Sequence, residues 1–336
     1  MTDATPYPVD PATILVAVPT LNEERYIADT LYDLLRGAGA ALRIVVADGG
    51  SSDATRDIVA DIASRHDNVR LIDNPDRLQS GAINRVVSEM AEPQHRILVR
   101  VDAHSHYPPG YVLDVAASLM ERGADGLATV MDSVGEGCFQ KGAAWAMETK
   151  LGSGGSGHRG GATSGWVDHG HHAGFLLETF RAVGGYDTGF VANEDAELDH
   201  RIIASGGRIW LDASIRLGYV MRPTLRRLAL QYWRYGKGRA QTVLKHKLRP
   251  RVRQMIPPAV FAVNTLAILL SPLAPWMLLL PLAYLAILGA VTARTLIHKR
   301  SVCALWVGPA LLVMHMVWGA GFLWQVIRQK TGLGAL

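Results

Sequence analysis

One unbroken apolar run, Ile14–Val18, and three apolar segments that each carry a single arginine, Leu42–Ala47, Val69–Ile72 and Ile97–Val101, recur with a helix-like stretch between each pair. Near-continuous apolar runs of this length are the mark of parallel strands buried on both faces. The intervening stretches carry apolar stripes, Leu31, Leu34 and Leu35 in the first and Ile58, Val59 and Ile62 in the second. Strands and helices alternating in this way predict an α/β domain with a mostly parallel sheet covered on both faces. Asn22 is placed to cap the first helix, with Glu23 and Glu24 in its first turn, and Ser52 or Asp53 to cap the second. Ala82–Met90 and Pro109–Glu121 read as further helices, and Gly126–Met131 as a fifth strand. Open sheets of this kind bind ligands beyond the C-terminal ends of their strands. The loops after the apolar runs are therefore where chemistry is expected.

Those loops are rich in carboxylates. Asp48-Gly49-Gly50-Ser51-Ser52-Asp53 follows the second run, and Arg100 to Tyr107 closes the fourth. Asp102 and His104 lie two apart, so in extended backbone both project to one side, close enough to share a divalent ion. A polar strand-end loop with incidental histidines would have the same composition. Downstream, Asn193–Arg201 reads as a helix start with Glu194 and Asp195 in its first turn, where the helix dipole favours acids. Surface helices also carry such clusters. His169, His171 and His172 precede Gly174-Phe175 and either border an acceptor or line a loop surface. The glycine-rich stretch Gly152–Gly161 lacks the Gly-Lys-Ser/Thr ending of a phosphate loop. It reads as a segment that orders on substrate or as a plain linker.

Charge and hydropathy divide the remainder. The net charge is +4, and much of the excess falls in 222–253, just before an apolar block. There Leu225, Leu228, Leu230 and Trp233 interleave with Arg226, Arg227, Arg234, Lys237 and Arg239, the pattern of a helix lying in a membrane interface. A helix packed on the protein would read the same way. A basic segment beside an apolar block favours an acidic lipid surface over nucleic acid, for which no zinc-finger or aromatic-basic signature is present. Ile256–Ser271, Leu273–Ala293 and Val302–Ile327 are nearly charge-free, and a membrane core needs about 20 helical residues. The basic connector Arg294–Arg300 should face the cytoplasm, whereas three full spans would place Arg328 and Lys330 outside, against the positive-inside rule. Two to three transmembrane helices are expected. Only Cys138 and Cys303 occur, so neither a disulfide framework nor a cysteine metal site is expected. The N-terminus lacks the apolar core of a signal peptide, so the soluble part is expected to stay in the cytoplasm, at the inner membrane.

Taken together, the loop motifs resemble those of inverting glycosyltransferases of family 2, which have the GT-A fold. Pro19-Thr20-Leu21-Asn22-Glu23-Glu24 resembles the motif around the nucleotide base, and Asp48 to Asp53 the one that reaches uracil or ribose. Asp102-Ala103-His104 stands in the place of the Asp-X-Asp metal motif, with His104 for the second aspartate. Glu194-Asp195 resembles the Glu-Asp pair whose aspartate is the base. Gln231-Tyr232-Trp233-Arg234-Tyr235 is similar to the Gln-X-X-Arg-Trp acceptor motif, with Tyr in the last place. Tyr235 to Ala240 and the apolar tail resemble bacterial exopolysaccharide transferases of the succinoglycan type.

The resemblance implies a GT-A domain over 1–221, a basic interfacial segment over 222–253 and a membrane domain over 254–330. It implies donor binding by Pro19, Asn22, Glu23, Asp48, Asp53, Arg77, Asn84 and Asp102, and Mn²⁺ or Mg²⁺ held by Asp102 and His104. Asp195 is the implied base and Glu194 orients the site, while His172, Gly174, Gln231, Arg234 and Arg239 serve the acceptor or the diphosphate. A nucleotide-diphosphate sugar, in the first instance a UDP-sugar, would be the donor and a polyprenyl-diphosphate-linked saccharide the acceptor, one sugar being added per encounter. A polyprenyl-phosphate monosaccharide synthase is the nearest alternative, and a membrane-tethered nucleotide-sugar sensor the non-catalytic one.

Overall fold

The computed structural model describes residues 9–38, 42–155 and 163–331. In chain order the elements are β1 (Ile14–Thr20), α1 (Ile27–Ala38), β2 (Arg43–Asp48), α2 (Thr55–Arg65), β3 (Val69–Asp73), α3 (Gln79–Met90), β4 (Ile97–Arg100), β5 (Ser105–His106) and α4 (Tyr111–Arg122). They continue with β6 (Gly126–Val134), α5 (Cys138–Glu148), α6 (Lys150–Ser153), β7 (Gly165–Val167), β8 (His171–Leu176), α7 (Leu177–Ala182), α8 (Glu194–Ala204) and β9 (Ile209–Val220). Four long helices finish the chain: α9 (Leu225–Lys245), α10 (Val252–Leu270), α11 (Leu279–Lys299) and α12 (Val307–Thr331). Two compact units result. One takes in Met1–Asp132, Gly160–Phe190 and Glu194–Tyr219, and the other Ser133–Arg159, Val191–Asn193 and Val220–Leu336.

The first unit is the expected α/β fold. Its sheet runs β3-β2-β1-β4-β8-β6-β9-β5, with β7 paired to β9. The first four strands in that order are parallel, with Val16 opposite Ile44 on one side and Val99 on the other. Beyond them β8 runs antiparallel to both β4 and β6, so the sheet is parallel in one half and mixed in the other. Gly174 permits the junction: a Cβ there would lie 2.8 Å from Val115 Cγ1 and 3.4 Å from the Leu98 carbonyl oxygen. Leu15, Ala17, Val45, Leu98, Val130, Phe175 and Phe180 form the core under the sheet. A fully buried side chain of the larger kinds contributes about 1.5–3 kcal/mol.

Local details depart from expectation. Asn22 does not cap α1, which begins only at Ile27. It sits in left-handed backbone at φ 56°, where its side-chain oxygen accepts from the Ser52 N–H at 2.8 Å. The cap position of α2 is Ala54, with Asp53 accepting from the Thr55 N–H at 3.0 Å just before it. The expectation of no disulfide framework is also corrected, because Cys138 and Cys303 form a disulfide across 165 residues. The turn leading into α12 packs on α5 and brings them together, a proximity that spacing does not reveal. Such bridges persist in oxidising compartments, and in a reducing cytoplasm the same two sulfurs would stand as thiols. Of the glycine-rich stretch, residues 156–161 lie outside the described residues.

The second unit is helical. Thr224 caps α9 by accepting from the Arg227 N–H at 3.3 Å. Helix α9 then packs along α12 through glycines rather than large side chains. A Cβ on Gly236 would come within 2.1 Å of the Trp318 carbonyl oxygen, and one on Gly321 within 2.5 Å of that of Trp233. Gly319 meets α10 in the same way, 2.3 Å from the Pro257 carbonyl oxygen. Helices α10, α11 and α12, the last two with their leading turns, are long and apolar enough to cross a membrane. A methyl at Gly236 should therefore force two backbones apart, whereas one at Gly289 of α11 meets nothing within 4 Å. Gly236→Ala is expected to destabilise the protein by about 1–3 kcal/mol and Gly289→Ala not at all, read as thermal melts in detergent. Equal melting temperatures for the two would contradict the packing.

Candidate active site

The sheet's C-terminal edge is organised first by two loops fastened together. The Asn22 N–H donates to Ser51 Oγ at 2.8 Å, the Glu23 N–H to Thr55 Oγ1 at 2.8 Å, and the Glu24 N–H to Asp53 Oδ2 at 3.2 Å. Asp48, fully buried at the end of β2, anchors the second loop. It accepts from the Gly50 and Ser51 N–H groups at 3.0 and 2.9 Å, from Ser51 Oγ and from Arg56 Nη1 at 3.0 Å. Burial alone would raise this carboxyl, but the bonds from Ser51, Arg56 and Gly50 outweigh it and hold Asp48 below its ordinary value. Arg77 joins the floor, with Nε donating to the Gly49 carbonyl at 3.1 Å from left-handed backbone. Pro19 lies in β1 opposite Ala47.

The second group is built on Arg100, the last residue of β4. Its guanidinium is 5% exposed and reaches three carboxylates. Nε lies 3.2 Å from Asp102 Oδ1, while Nη1 contacts Asp195 Oδ1 and lies 3.8 Å from Glu194 Oε1. Gln79 at the start of α3 donates to the same Asp102 oxygen at 2.6 Å. The Asp102 N–H donates to Tyr107 Oη at 2.7 Å, which fixes the backbone of the loop. Behind Asp195 stands His172, with Nδ1 3.4 Å from Asp195 Oδ1 and 2.9 Å from Tyr186 Oη, and Nε2 bonded to Asp199 Oδ1. Asp199, one helical turn after Asp195, also engages His169 Nδ1 at 2.7 Å through its other oxygen. Asp199 and His172 are almost completely buried.

These contacts set the charges. Burial would raise Asp195, yet Arg100 and then His172 hold it well below the usual carboxylate range. Arg100 supports Glu194 only from 3.8 Å, and burial together with the neighbouring Asp195 outweighs it and pushes Glu194 up to about 7. Burial would lower His172, but the Asp199 carboxylate leads the effects that lift it well above its ordinary value, so it stays an imidazolium. Asp195 is thus ionised while the adjacent Glu194 titrates near neutral pH, the kind of separation that divides acid, base and electrostatic roles in active sites.

The remaining predicted residues fall in several places. His104 Nδ1 lies 3.1 Å from Glu23 Oε1, which puts the metal-motif histidine beside the first nucleotide-motif loop. His106 is exposed in β5. Asn84 is committed elsewhere, its amide bonded in both directions to the backbone of Tyr186 at 2.7 and 2.8 Å. Gly174 lies within the sheet, where its small size serves packing. Gln231, Arg234 and Arg239 belong to α9 of the second unit, where Gln231 donates to Tyr235 Oη at 2.9 Å. Residues not assigned from sequence include Arg100, Asp199, Tyr186, Gln79 and Arg56. For Asp199 a signal existed, its spacing of four from Asp195 on one helix.

Among the described residues no three His, Cys, Asp or Glu side chains are arranged to hold a metal ion. Asp102 and His104 provide one carboxylate and one imidazole. That donor set fits an ion that arrives with a phosphate-bearing substrate, since Mg²⁺-type sites take one or two carboxylates and complete their shell with phosphates and water.

Known proteins give this geometry its context. The glycosyl transferase family 2 profile matches residues 15–184. The succinoglycan biosynthesis protein ExoA of Rhizobium meliloti is 41% identical over 312 residues, 92% of this chain and 93% of that protein. A mannosyltransferase of Pyrobaculum calidifontis, solved in complex with GDP-Man and Mn²⁺, shares the fold at 21% identity with a TM-score of 0.56, covering 97% of this chain and 90% of that one. With its strand-end carboxylates and buried Arg100 on a mixed α/β sheet, the chain is a glycosyltransferase and belongs to glycosyl transferase family 2.

Proposed function

We propose that the enzyme transfers one sugar, with inversion, from a nucleotide-diphosphate sugar to a lipid-linked saccharide in exopolysaccharide biosynthesis, at a membrane surface. The observation that carries the chemistry is Asp195, fixed between Arg100 and His172 at the start of α8. The similarity to the succinoglycan protein supports the pathway, and the apolar helices support the membrane. The fastened loops bearing Pro19, Asn22, Glu23, Asp48 and Asp53 would receive the nucleoside, with Arg77 beneath them. A UDP-sugar is the first donor to test. The acceptor would be a saccharide on a polyprenyl diphosphate, presented where α9 meets lipid and served by Gln231, Arg234 and Arg239. The catalytic unit would face the cytoplasm.

In this reading the acceptor hydroxyl attacks the anomeric carbon from the face opposite the diphosphate, giving a β-linkage from an α-linked donor. Asp195 accepts the proton as the new bond forms. A carboxylate held this low is a weak base, so the proton moves late, once the attacking oxygen has gained positive charge and become acidic. Its two cationic neighbours fix its direction. Asp199 and Tyr186 position His172, and Asp199 also holds His169, which borders the acceptor side. A divalent ion, Mn²⁺ or Mg²⁺, bound by Asp102 and His104 with the donor, would neutralise charge on the departing diphosphate as a Lewis acid.

Three measurements test this. Asp195→Asn is expected to lower kcat by about 10²–10⁴-fold while donor affinity is retained; nearly full turnover would remove Asp195 as the base. Glu194, folded with a value of about 7 against an ordinary 4.5, is neutral below that pH and ionises above it. Its new charge beside Arg100 raises the proton affinity of Asp195, so kcat/KM should climb through pH 7. The same ionisation costs stability as pH rises through 7, because the folded carboxyl holds its proton more tightly than the unfolded one. Glu194→Gln should flatten both effects, and an unchanged pH–rate profile would contradict the assignment. Chelation by EDTA should abolish transfer and restored Mn²⁺ or Mg²⁺ recover it, whereas full activity in EDTA would end the metal role of Asp102 and His104.

A further inference from the structure

Composition qualifies three C-terminal helices as membrane spans. Packing separates them. From Val263 to Ile287 the α10–α11 hairpin exposes a continuous series of large apolar side chains, among them Leu266, Leu269, Leu273, Trp276, Leu279 and Leu282. Over the third span, Val302–Thr331, the large apolar side chains exposed are Val302, Leu305 and Trp306 in the leading turn and Trp324 and Ile327 near the C-terminal end, with none between Val307 and Leu323. Val307, Ala310, Leu311, Met314, Gly319, Gly321 and Phe322 are buried against protein within the second unit. Of the apolar window of this span 39% is buried, against 17% for α10 and 6% for α11, so protein covers more of α12 than of either other helix.

What covers α12 matters more. Its pairing with α9 is more extensive than any other pairing of elements in the chain. Helix α9 carries Arg226 and Arg227 near one end, Arg234, Lys237 and Arg239 in the middle and Lys245 at the other end. Arg226 and Lys245 are 19 residues apart, roughly 28 Å of helix, nearly the ~30 Å of a hydrocarbon core. The close contacts of Trp233 with Gly321 and of Gly236 with Trp318 lie in the middle of both helices. Halfway along α12, His315 Nε2 lies 3.0 Å from the Leu151 carbonyl oxygen, next to Lys150. The turn before α12 packs on α5, where Trp306 Cβ would lie 2.5 Å from a Cβ on Gly142. Standing α12 upright across a bilayer would carry charges of α9 into hydrocarbon at every depth, where they are strongly disfavoured.

We propose that α12 does not cross the membrane but lies with α9 along the surface of an anionic bilayer, and that only the α10–α11 hairpin enters the hydrocarbon. The chain then ends on the side where it begins. Arg294, Lys299 and Arg300 after the hairpin and Arg328 and Lys330 at the tail share that side, which removes the conflict that three spans create with the positive-inside rule. The apolar composition of α12 is explained by α5, α9, α10 and α11, which pack around it.

This rests on the membrane reading given above, and one experiment separates the two. The full chain, carrying different epitope tags at its two termini, is expressed in bacteria, and membranes are washed with carbonate. Sealed vesicles of one orientation are then treated with protease. Both tags should be lost in vesicles with one face outward and both retained in vesicles with the other. Loss of one tag with retention of the other would overturn the proposal and restore an odd number of spans. A chain released entirely by carbonate would overturn the membrane insertion on which it depends.

Discussion

The active site depends on a guanidinium kept out of water. Arg100 sits at the end of a buried strand among Asp102, Asp195 and Glu194. A buried cation costs several kcal/mol unless it is paired and hydrogen-bonded, so the three carboxylates and the arginine require one another. Two of those carboxylates come from loops far apart in sequence, one from the metal motif and one from the α8 helix start. Arg100 ties them into one electrostatic unit. A charge change at Asp102 or at Asp195 is therefore felt at the other.

His172 supplies a second constraint of the same kind. Its imidazolium is held by Asp199 on one nitrogen and faces Asp195 and Tyr186 on the other. Asp195 is thus gripped by two cations that differ in origin, one from the parallel half of the sheet and one from the antiparallel strand β8. Glu194, its neighbour in the chain, meets Arg100 only at 3.8 Å and holds its proton up to about pH 7. Adjacent acids at a helix start look equivalent in sequence, and the difference between them is purely environmental.

The parallel half of the fold was legible in sequence because its strands are dominantly apolar segments closed by loops with strong local signals. The loop motifs were legible for the same reason. What escaped was set by long-range geometry. Arg100 stood in plain view beside Asp102, but nothing in the sequence said that its side chain turns back toward Asp195. Asn84 had the right composition for a ligand contact and is instead occupied by the backbone of Tyr186. Asn22 was read as a cap from its position before a helix, and its left-handed backbone made it a fastener between loops. The cysteine pair joins segments that no periodicity connects.

The second unit is discontinuous, and its first piece, residues 133–159, is separated from the rest by much of the catalytic fold. Helix α5 in that piece packs on the turn before α12, and Cys138 faces Cys303 across the same contact. A fragment ended after β9 to obtain a water-soluble catalytic domain would keep α5 but strip it of that partner. The Gly142 face and the Cys138 sulfur would become new exposed surface, and self-association would follow from the cut itself. Dissection of this enzyme has to treat residues 133–159 as part of the helical second unit, to be removed or retained together with the C-terminal helices.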